Sequence, residues 1–256
     1  MFTDFHVHLD LVDPALVASG GLARVLDLGS AGEVTAGSVE VVRAGRMLTA
    51  RGGYPSTRPW AAGGLFREVA EGEVDAAVRE QVEAGAAVIK IALNVDAGPV
   101  WPDVLLAEVV GSAHAAGRKV VAHVEGAGQA ERAASAGVDA FAHTPFTESL
   151  DDALIAHLAA GVTWISTLRI HIGPDRERAI DNLRRFTIAG GRILYGTDMG
   201  NGPATGGVER DELEALLEAG LSRDDLIAAL TGGPLLPPLA GDRDAERAEL
   251  ERLLAG

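Results

Sequence analysis

Residues 2–10, Phe2-Thr3-Asp4-Phe5-His6-Val7-His8-Leu9-Asp10, decide how the rest of the chain is interpreted. Apolar and polar side chains alternate into two histidines separated by one residue, which predicts a short strand. Because side chains two residues apart on a strand point to the same face, both imidazoles project together. Neutral imidazole is the commonest metal ligand, so the pair supplies half of a zinc-type site. The alternative is a pair of histidines on a solvated strand face.

The composition predicts one globular domain that spans residues 1–256. Of the 256 residues, 47% are hydrophobic and 23% are charged, which suffices for an α/β barrel of about 250 residues. A formal net charge of -15 disfavours nucleic acid and anionic membranes as partners. The chain has no cysteine, so any metal must have nitrogen and oxygen ligands. With no apolar run of roughly 18 residues and no leader pattern, we expect a soluble, cytoplasmic protein.

Strands and helices alternate along the chain, and a glycine commonly closes each helix before the next strand. Eight strand–helix units predict a parallel (β/α)8 or TIM barrel over about residues 2–235, followed by a charged amphipathic helix at about 240–255. The predicted strands cover residues 2–10, 23–28, 38–43, 87–93, 119–126, 140–145, 162–168 and 192–200. The predicted helices cover residues 73–83, 102–116, 129–136, 151–160 and 176–189, with two more within 209–230.

Residues with ligand or acid–base chemistry lie where these predicted strands end, which is where an α/β barrel carries its functional groups. Each has an ordinary alternative: a lysine that extends out of the strand, a core histidine, or an aspartate that caps a turn. Their joint placement favours a site, because a random distribution would scatter such residues among helices, as it does for His114 and His157. The six candidates are His6, His8, Lys90, His123, His143 and Asp198.

Six short motifs characterise the chain from Asp4 to about Pro234. They are His6-Val7-His8, Val88-Ile89-Lys90-Ile91, Val121-Ala122-His123 with Glu125-Gly126, Ala136-Gly137-Val138-Asp139 before Ala142-His143, Ser166-Thr167-Leu168, and Gly196-Thr197-Asp198. This set resembles the amidohydrolase superfamily, metal-dependent hydrolases built on a (β/α)8 barrel. It is most similar to the imidazolonepropionase-like and prolidase-like branch.

The resemblance implies a binuclear metal centre in which Lys90, carboxylated on its amine, bridges two divalent ions. Zinc is the first candidate, with manganese, cobalt or iron as alternatives. A carbamate is physically reasonable, because a buried ammonium beside two cations is heavily penalised. By the same resemblance Asp198 takes a proton from a metal-bridging hydroxide and passes it to the leaving group. One ion would be bound by His6, His8 and Asp198, and the other by His123 and His143.

The implied activity is hydrolysis of an amide, peptide, cyclic amide or lactone bond in a small substrate. Substrate contacts are expected from the loops, although ordinary loop chemistry is the alternative at every position. Arg169 is placed to clamp a substrate carboxylate, with Arg58 as a second candidate. Tyr54 and His171 are candidates for contact with the reacting group, and Trp60 or Trp101 for covering it. Glu125 orients a ligand, contacts substrate or is an ordinary loop carboxylate.

The chain departs from its branch in three respects. We expect it to lack the small β-sandwich that flanks the barrel in most relatives. Gly52-Gly53-Tyr54 stands where relatives often have Gly-Gly-His, which puts their usual substrate contact in doubt. Thr231-Gly232-Gly233-Pro234 stands where many have Thr-X-Asn-Pro.

Three other functions remain open from the sequence. A TatD-type deoxyribonuclease begins similarly, but uses a glutamate where this chain has Lys90, and the acidic charge disfavours DNA. Phosphoesterase action uses the same kind of activated water. A barrel that binds a small ligand without turnover is the non-enzymatic alternative. A homo-oligomer is compatible with all of them.

Overall fold

The computed structural model describes residues 1–203 and 205–255. The strands are β1 Phe2–Val7, β2 Leu22–Asp27, β3 Glu40–Arg43, β4 Met47–Thr49, β5 Phe66–Glu68, β6 Val88–Asn94, β7 Lys119–Glu125, β8 Ala140–Phe141, β9 Thr163–Ile165 and β10 Ile193–Leu194. The helices are α1 Pro14–Val17, α2 Val74–Glu83, α3 Asp103–Ala115, α4 Gln129–Ser135, α5 Asp152–Gly161, α6 Gly173–Ile188, α7 Arg210–Glu218, α8 Arg223–Thr231 and α9 Arg243–Ala255.

The strands form two parallel sheets, in the orders β1-β2-β3 and β10-β9-β8-β7-β6-β4-β5. The predicted α/β class with parallel strands is confirmed. The predicted closed barrel is not, because over the part of the chain that the structure describes the two sheets do not join into one continuously paired sheet. One interruption falls between β3, which pairs with β2, and β4, which pairs with β6. Between them Gly45 has a φ of +70°, which interrupts the extended backbone after β3 ends at residue 43, as predicted, and before β4 begins.

Backbone hydrogen bonds nevertheless connect the two sheets at their other edges. The amide of Phe5 donates to the carbonyl of Tyr195 at 2.9 Å, and the amide of Asp198 donates to the carbonyl of His6 at 2.8 Å. A further bond of 2.7 Å runs from the amide of His8 to the carbonyl of Met199. The end of β1 therefore lies directly beside the segment that follows β10.

The strands were predicted less accurately than the helices. Strand β10 contains two residues, whereas the sequence pattern extended it to residue 200; within that longer range Asp198 adopts a left-handed conformation with φ of +53°. Strands β4 and β5 were not predicted, since three residues are too few for an alternation to show. The helical ends carry their own signals: Asp151 caps α5, and Ser222 with Asp225 forms a capping box on α8.

An apolar layer lies beneath the carboxyl ends of the strands. Val88 and Val121 are fully buried and precede Lys90 and His123 by two residues, so each valine shares a strand face with the polar residue above it. They pack in one cluster whose further members include Phe5, Leu26, Ala140, Ile165 and Leu194. The polar residues near the strand ends therefore pack on a buried apolar layer. Within the described residues, no helix is both long and apolar enough to cross a membrane.

Candidate metal centre

Two imidazoles and one carboxylate converge at the end of β1. His6 Nε2 lies 3.2 Å from His8 Nε2 and 3.1 Å from Asp198 Oδ1. The His8 Nε2 atom is 3.2 Å from the same carboxylate oxygen. All three residues are buried. Three potential ligand atoms therefore face one point, as the spacing of the two histidines predicted for that pair.

The other polar atom of two of these groups is already bonded. His6 Nδ1 lies 2.7 Å from the carbonyl oxygen of Ala142, which can only accept, so this nitrogen carries the proton and Nε2 keeps its lone pair. Asn201 donates its side-chain amide to Asp198 Oδ2 at 2.9 Å. Each contact leaves the other ligand atom, His6 Nε2 or Asp198 Oδ1, directed toward the common point.

Lys90 is fully buried, and its Nζ has no hydrogen-bond partner among the described residues. Burial lowers the pKa of this amine to about 7, while the charge of Asp198 acts in the opposite direction. An unpartnered ammonium in such a place is costly. A free amine, by contrast, is neutral and keeps its lone pair available.

His123 and His143 complete the cluster. Their ring centroids are 4.9 Å apart, and the His143 ring is 4.7 Å from that of His6. His143 Nδ1 lies 2.8 Å from Thr167 Oγ1, which leaves Nε2 as its free nitrogen. His123 Nε2 lies 3.1 Å from Glu125 Oε1, and the Tyr54 ring stacks on the His123 imidazole with centroids 4.8 Å apart.

The protonation states suit metal binding. Burial lowers the pKa of both His6 and His143 well below the usual value, so these imidazoles are neutral at pH 7. Burial alone would raise the pKa of Asp198, but His6, His8 and His143 lower it well below its ordinary value. Metal ligands must be deprotonated, and all three groups meet that requirement.

The geometry also fits a divalent ion. Ligand atoms about 2.1 Å from a tetrahedral zinc lie about 3.4 Å from one another. The separations of 3.1 Å and 3.2 Å among the atoms of His6, His8 and Asp198 are close to that value. Asp198 Oδ1 also lacks a hydrogen bond. Together with the unpartnered amine of Lys90, this donor set matches nitrogen and oxygen coordination.

A cavity of about 390 Å³ opens above the cluster. One wall is apolar, and Trp60, which is 41% exposed, stands at its edge. The volume matches a small molecule. The cavity is lined by His8, Leu11, Met47, Tyr54, Trp60, Lys90, His123, Glu125, His143, Ile170, Asp198, Gly200 and Asn201.

The four predicted substrate contacts occupy different places. Tyr54 lines the cavity, and burial raises the pKa of its hydroxyl, which therefore stays protonated. Arg58 is exposed, with its guanidinium carbon 5.8 Å from the centre of the Tyr54 ring. Arg169 instead donates to the backbone carbonyls of Thr197 and Pro203, so its guanidinium links two loops.

His171, the fourth, is 7% exposed and packs against Phe146, with the ring centroids 4.0 Å apart. Burial lowers its pKa to about 4, which makes it a neutral group beside the site. Trp101, considered as a cover, is instead buried in the main core and donates its indole to the carbonyl of Val69 at 2.9 Å.

The sequence did not single out several residues that hold the cluster in place. Thr167 bonds His143, and Asn201 bonds Asp198. Asp4, which is fully buried, accepts from the amide of His6 at 2.9 Å and from the hydroxyl of Thr197 at 2.6 Å. Asn94 donates to Glu125. For Asn94 and Thr167 a signal was available, since each lies at or just after the carboxyl end of a strand, but small polar residues are common there.

Comparisons with known proteins identify similar folds. No family profile matches the chain, and neither does any curated protein sequence. Among solved structures, an amidohydrolase matches with a TM-score of 0.70 and 23% identity over 99% of this chain and 74% of that one. Ochratoxinase from A. niger matches with a TM-score of 0.69 and 20% identity over 90% and 69% of the respective chains.

A Xaa-Pro dipeptidase with methionine bound in its active site matches with a TM-score of 0.68 and 20% identity, over 99% of this chain and 75% of the dipeptidase. At this level of identity the shared property is the fold. The resemblance to amidohydrolases and prolidases that the motifs indicated is thus confirmed at the level of the fold.

Proposed function

We propose that the chain is a prolidase-like member of the amidohydrolase superfamily that hydrolyses an amide or peptide bond in a small substrate with two divalent metal ions. The observation that carries the proposal is the buried amine of Lys90, unpartnered within a ring of histidines and one carboxylate. The names of the similar structures, which include an amidohydrolase and a Xaa-Pro dipeptidase, support the same class of bond.

The proposal includes an eight-stranded barrel. In it β3 and β4 act as one interrupted strand, and the amide of Ala87 supports this by donating to the carbonyl of Arg43, across the interruption, at 2.8 Å. The backbone hydrogen bonds between β1 and the segment after β10 would close the barrel between its first and last strands. In that barrel His6, His8, His123, His143 and Asp198 would lie toward the carboxyl ends of the strands, where such enzymes bind substrate, and Lys90 would lie deeper within its strand.

Six residues of this chain would hold the ions. We assign His6, His8 and Asp198 to one, His123 and His143 to the other, and the carbamate of Lys90 to both. The carbamate forms when the neutral amine attacks carbon dioxide, creating a C–N bond and releasing one proton; the lowered pKa of Lys90 supplies that neutral amine. When bound, the ions lower the pKa of water toward neutrality and polarise the scissile carbonyl.

The remaining steps belong to side chains of this protein. The ionised carboxylate of Asp198 accepts the proton of the attacking water and returns it to the nitrogen of the leaving amine, so proton transfer balances over one turnover. Asn201 keeps one oxygen of that carboxylate engaged and leaves the other facing the histidines. The apolar wall of Leu11, Met47 and Ile170 holds the organic part of the substrate and excludes bulk water.

Metal analysis of protein prepared with bicarbonate and without chelator tests the proposal. We expect about two ions per chain, and a marked fall in Lys90→Ala. Lys119→Ala is the matched control, because this lysine lies at the opposite end of a neighbouring strand with its side chain 44% exposed. One ion unaffected by Lys90→Ala would contradict the carbamate bridge, and none would favour a ligand-binding protein without turnover.

Activity is tested in parallel with a panel of N-acyl amino acids, dipeptides, cyclic amides and lactones. The metal-loaded protein is expected to cleave members of the first two groups, and Asp198→Asn is expected to be inactive. Cleavage of phosphoesters but of no amide would overturn the assignment of the bond class.

A further inference from the structure

Asn94 and Glu125 are paired across two neighbouring strands next to the candidate centre. They are direct partners in the parallel register of β6 and β7, and each is the last residue of its strand. The Asn94 side-chain amide donates to Glu125 Oε2, while its own oxygen accepts the amide of Ala97 at 3.0 Å. Asn94 is 4% exposed, so it forms a rigid support for the carboxylate.

Both oxygens of Glu125 lie against protein groups. Oε2 accepts a hydrogen bond from Asn94, and Oε1 lies 3.1 Å from His123 Nε2 in a close polar contact without full hydrogen-bond geometry. The side chain borders the cavity but is only 23% exposed. A carboxylate that recognised a substrate amine would direct a free oxygen into the cavity, whereas this one is directed at an imidazole.

His123 depends on this contact more than the other histidines do. His6 and His143 each have one ring nitrogen fixed by a neighbour at 2.7 Å and 2.8 Å, from a backbone carbonyl and a threonine hydroxyl. The His123 ring otherwise has the Tyr54 ring stacked on its face. Stacking restricts the tilt of the ring but provides no in-plane partner for either ring nitrogen.

From this geometry we infer that Glu125, held by Asn94, is a positioning residue that fixes the ring of His123 and makes it a better metal ligand. The inference rests on the proposed function. Carboxylates that accept from the second nitrogen of a ligating histidine orient the ring and raise its basicity. Loss of such a partner typically weakens metal affinity by about 10-fold to 100-fold.

Titration with Co²⁺ in bicarbonate buffer, followed by visible absorption, provides a test that does not require a substrate. We expect two binding steps in the wild type. Glu125→Ala should weaken one step by about 10-fold to 100-fold and change its absorption band, while the other step, at His6, His8 and Asp198, serves as an internal measure of correct folding. Glu125→Gln, which keeps an acceptor oxygen, should restore most of that affinity.

Asp96→Asn is the matched control, because it removes an exposed carboxylate from the same rim, and its titration should equal that of the wild type. Asn94→Ala should reproduce part of the Glu125→Ala effect. Two unchanged steps in Glu125→Ala would overturn the inference while leaving the proposed function intact, and a raised KM for amine-bearing substrates would then assign Glu125 to substrate binding. A wild type that binds fewer than two ions would overturn the proposed function, and this inference with it.

Discussion

Replacing Gly196 by alanine perturbs the contact between β1 and the segment after β10, which brings the histidine pair and Asp198 together. A methyl group at Gly196 would lie 3.0 Å from His6 Cβ and well inside the contact distance of Ile165 Cγ2. Ordinary carbon–carbon contacts are about 3.5–4.0 Å. Because Ile165 is fully buried and His6 is fixed by Ala142, neither neighbour can move without disturbing the layer beneath the site.

The expected cost follows from overpacking. Forcing an extra methyl group into a packed core typically costs about 1–3 kcal/mol. For a chain of this size each kcal/mol lowers the melting temperature by about 2–4 °C, so we expect a fall of roughly 2–12 °C. The strain also displaces His6, and since ligands must be held within about 0.5 Å, metal affinity should fall at least about 10-fold.

Thermal unfolding of the metal-free protein and Co²⁺ titration measure the two effects separately. Gly111→Ala is the control: this exposed glycine lies inside α3 with no atom within 4 Å of the added methyl group, so alanine should stabilise the helix by about 0.5–1 kcal/mol. If Gly196→Ala melted with the wild type and bound Co²⁺ equally well, the close packing inferred between this strand end and His6 would be wrong.

Three further predictions concern single residues. Asp198→Asn should lower kcat by at least about 100-fold on any amide substrate found, because the proton acceptor is lost; a loss under 10-fold would assign that role elsewhere. Burial raises the pKa of Glu212 from 4.5 to about 7, so the folded state keeps a proton that the unfolded state loses, and stability falls as pH rises between these values. Urea unfolding should show Glu212→Gln gaining up to about 3 kcal/mol relative to wild type from pH 4 to pH 8, whereas parallel profiles would contradict the raised pKa. Arg169→Ala should lower the free energy of unfolding by about 1–3 kcal/mol because two loop carbonyls lose their donor; unchanged stability with a raised KM for acidic substrates would favour the substrate clamp.

The sequence predicted the structure best where residues that repeat at a short, regular spacing indicate a strand or a helix. The two-residue spacing of His6 and His8, and the presence of Lys90 and His123 within apolar strands, depend only on the geometry of one strand. Once parallel strands are assumed, their carboxyl ends meet, and the residues there are expected to converge. Helix ends were similarly accessible, because caps and closing glycines are local features.

Contacts between distant segments could not be predicted in this way. The partner of Arg169 is a pair of carbonyls in the loop after β10, and nothing in the neighbourhood of an arginine distinguishes such a role from a substrate clamp. The separation of β3 from β4 likewise depends on pairing with different neighbours, since β3 pairs with β2 and β4 pairs with β6. The contact of Thr167 with His143 joins loops that follow two different strands. These features are determined by the assembled sheets.

The distribution of backbone strain links the fold to the proposed chemistry. Among the described residues, the non-glycine positions with positive φ are Thr167, at +47°, and Asp198, at +53°. Each such residue costs of order 1–3 kcal/mol and persists only where surrounding bonds enforce it. Here the amide of Thr167 donates to the carbonyl of Gly196, and the amide of Asp198 donates to that of His6. The first turn places a hydroxyl on His143, and the second directs a carboxylate at the histidine pair. A strand that merely ended would accept glycine or asparagine at these points at lower cost. The strain therefore falls where orientation of a side chain matters more than stability, as expected if these two turns position the groups that act on a substrate.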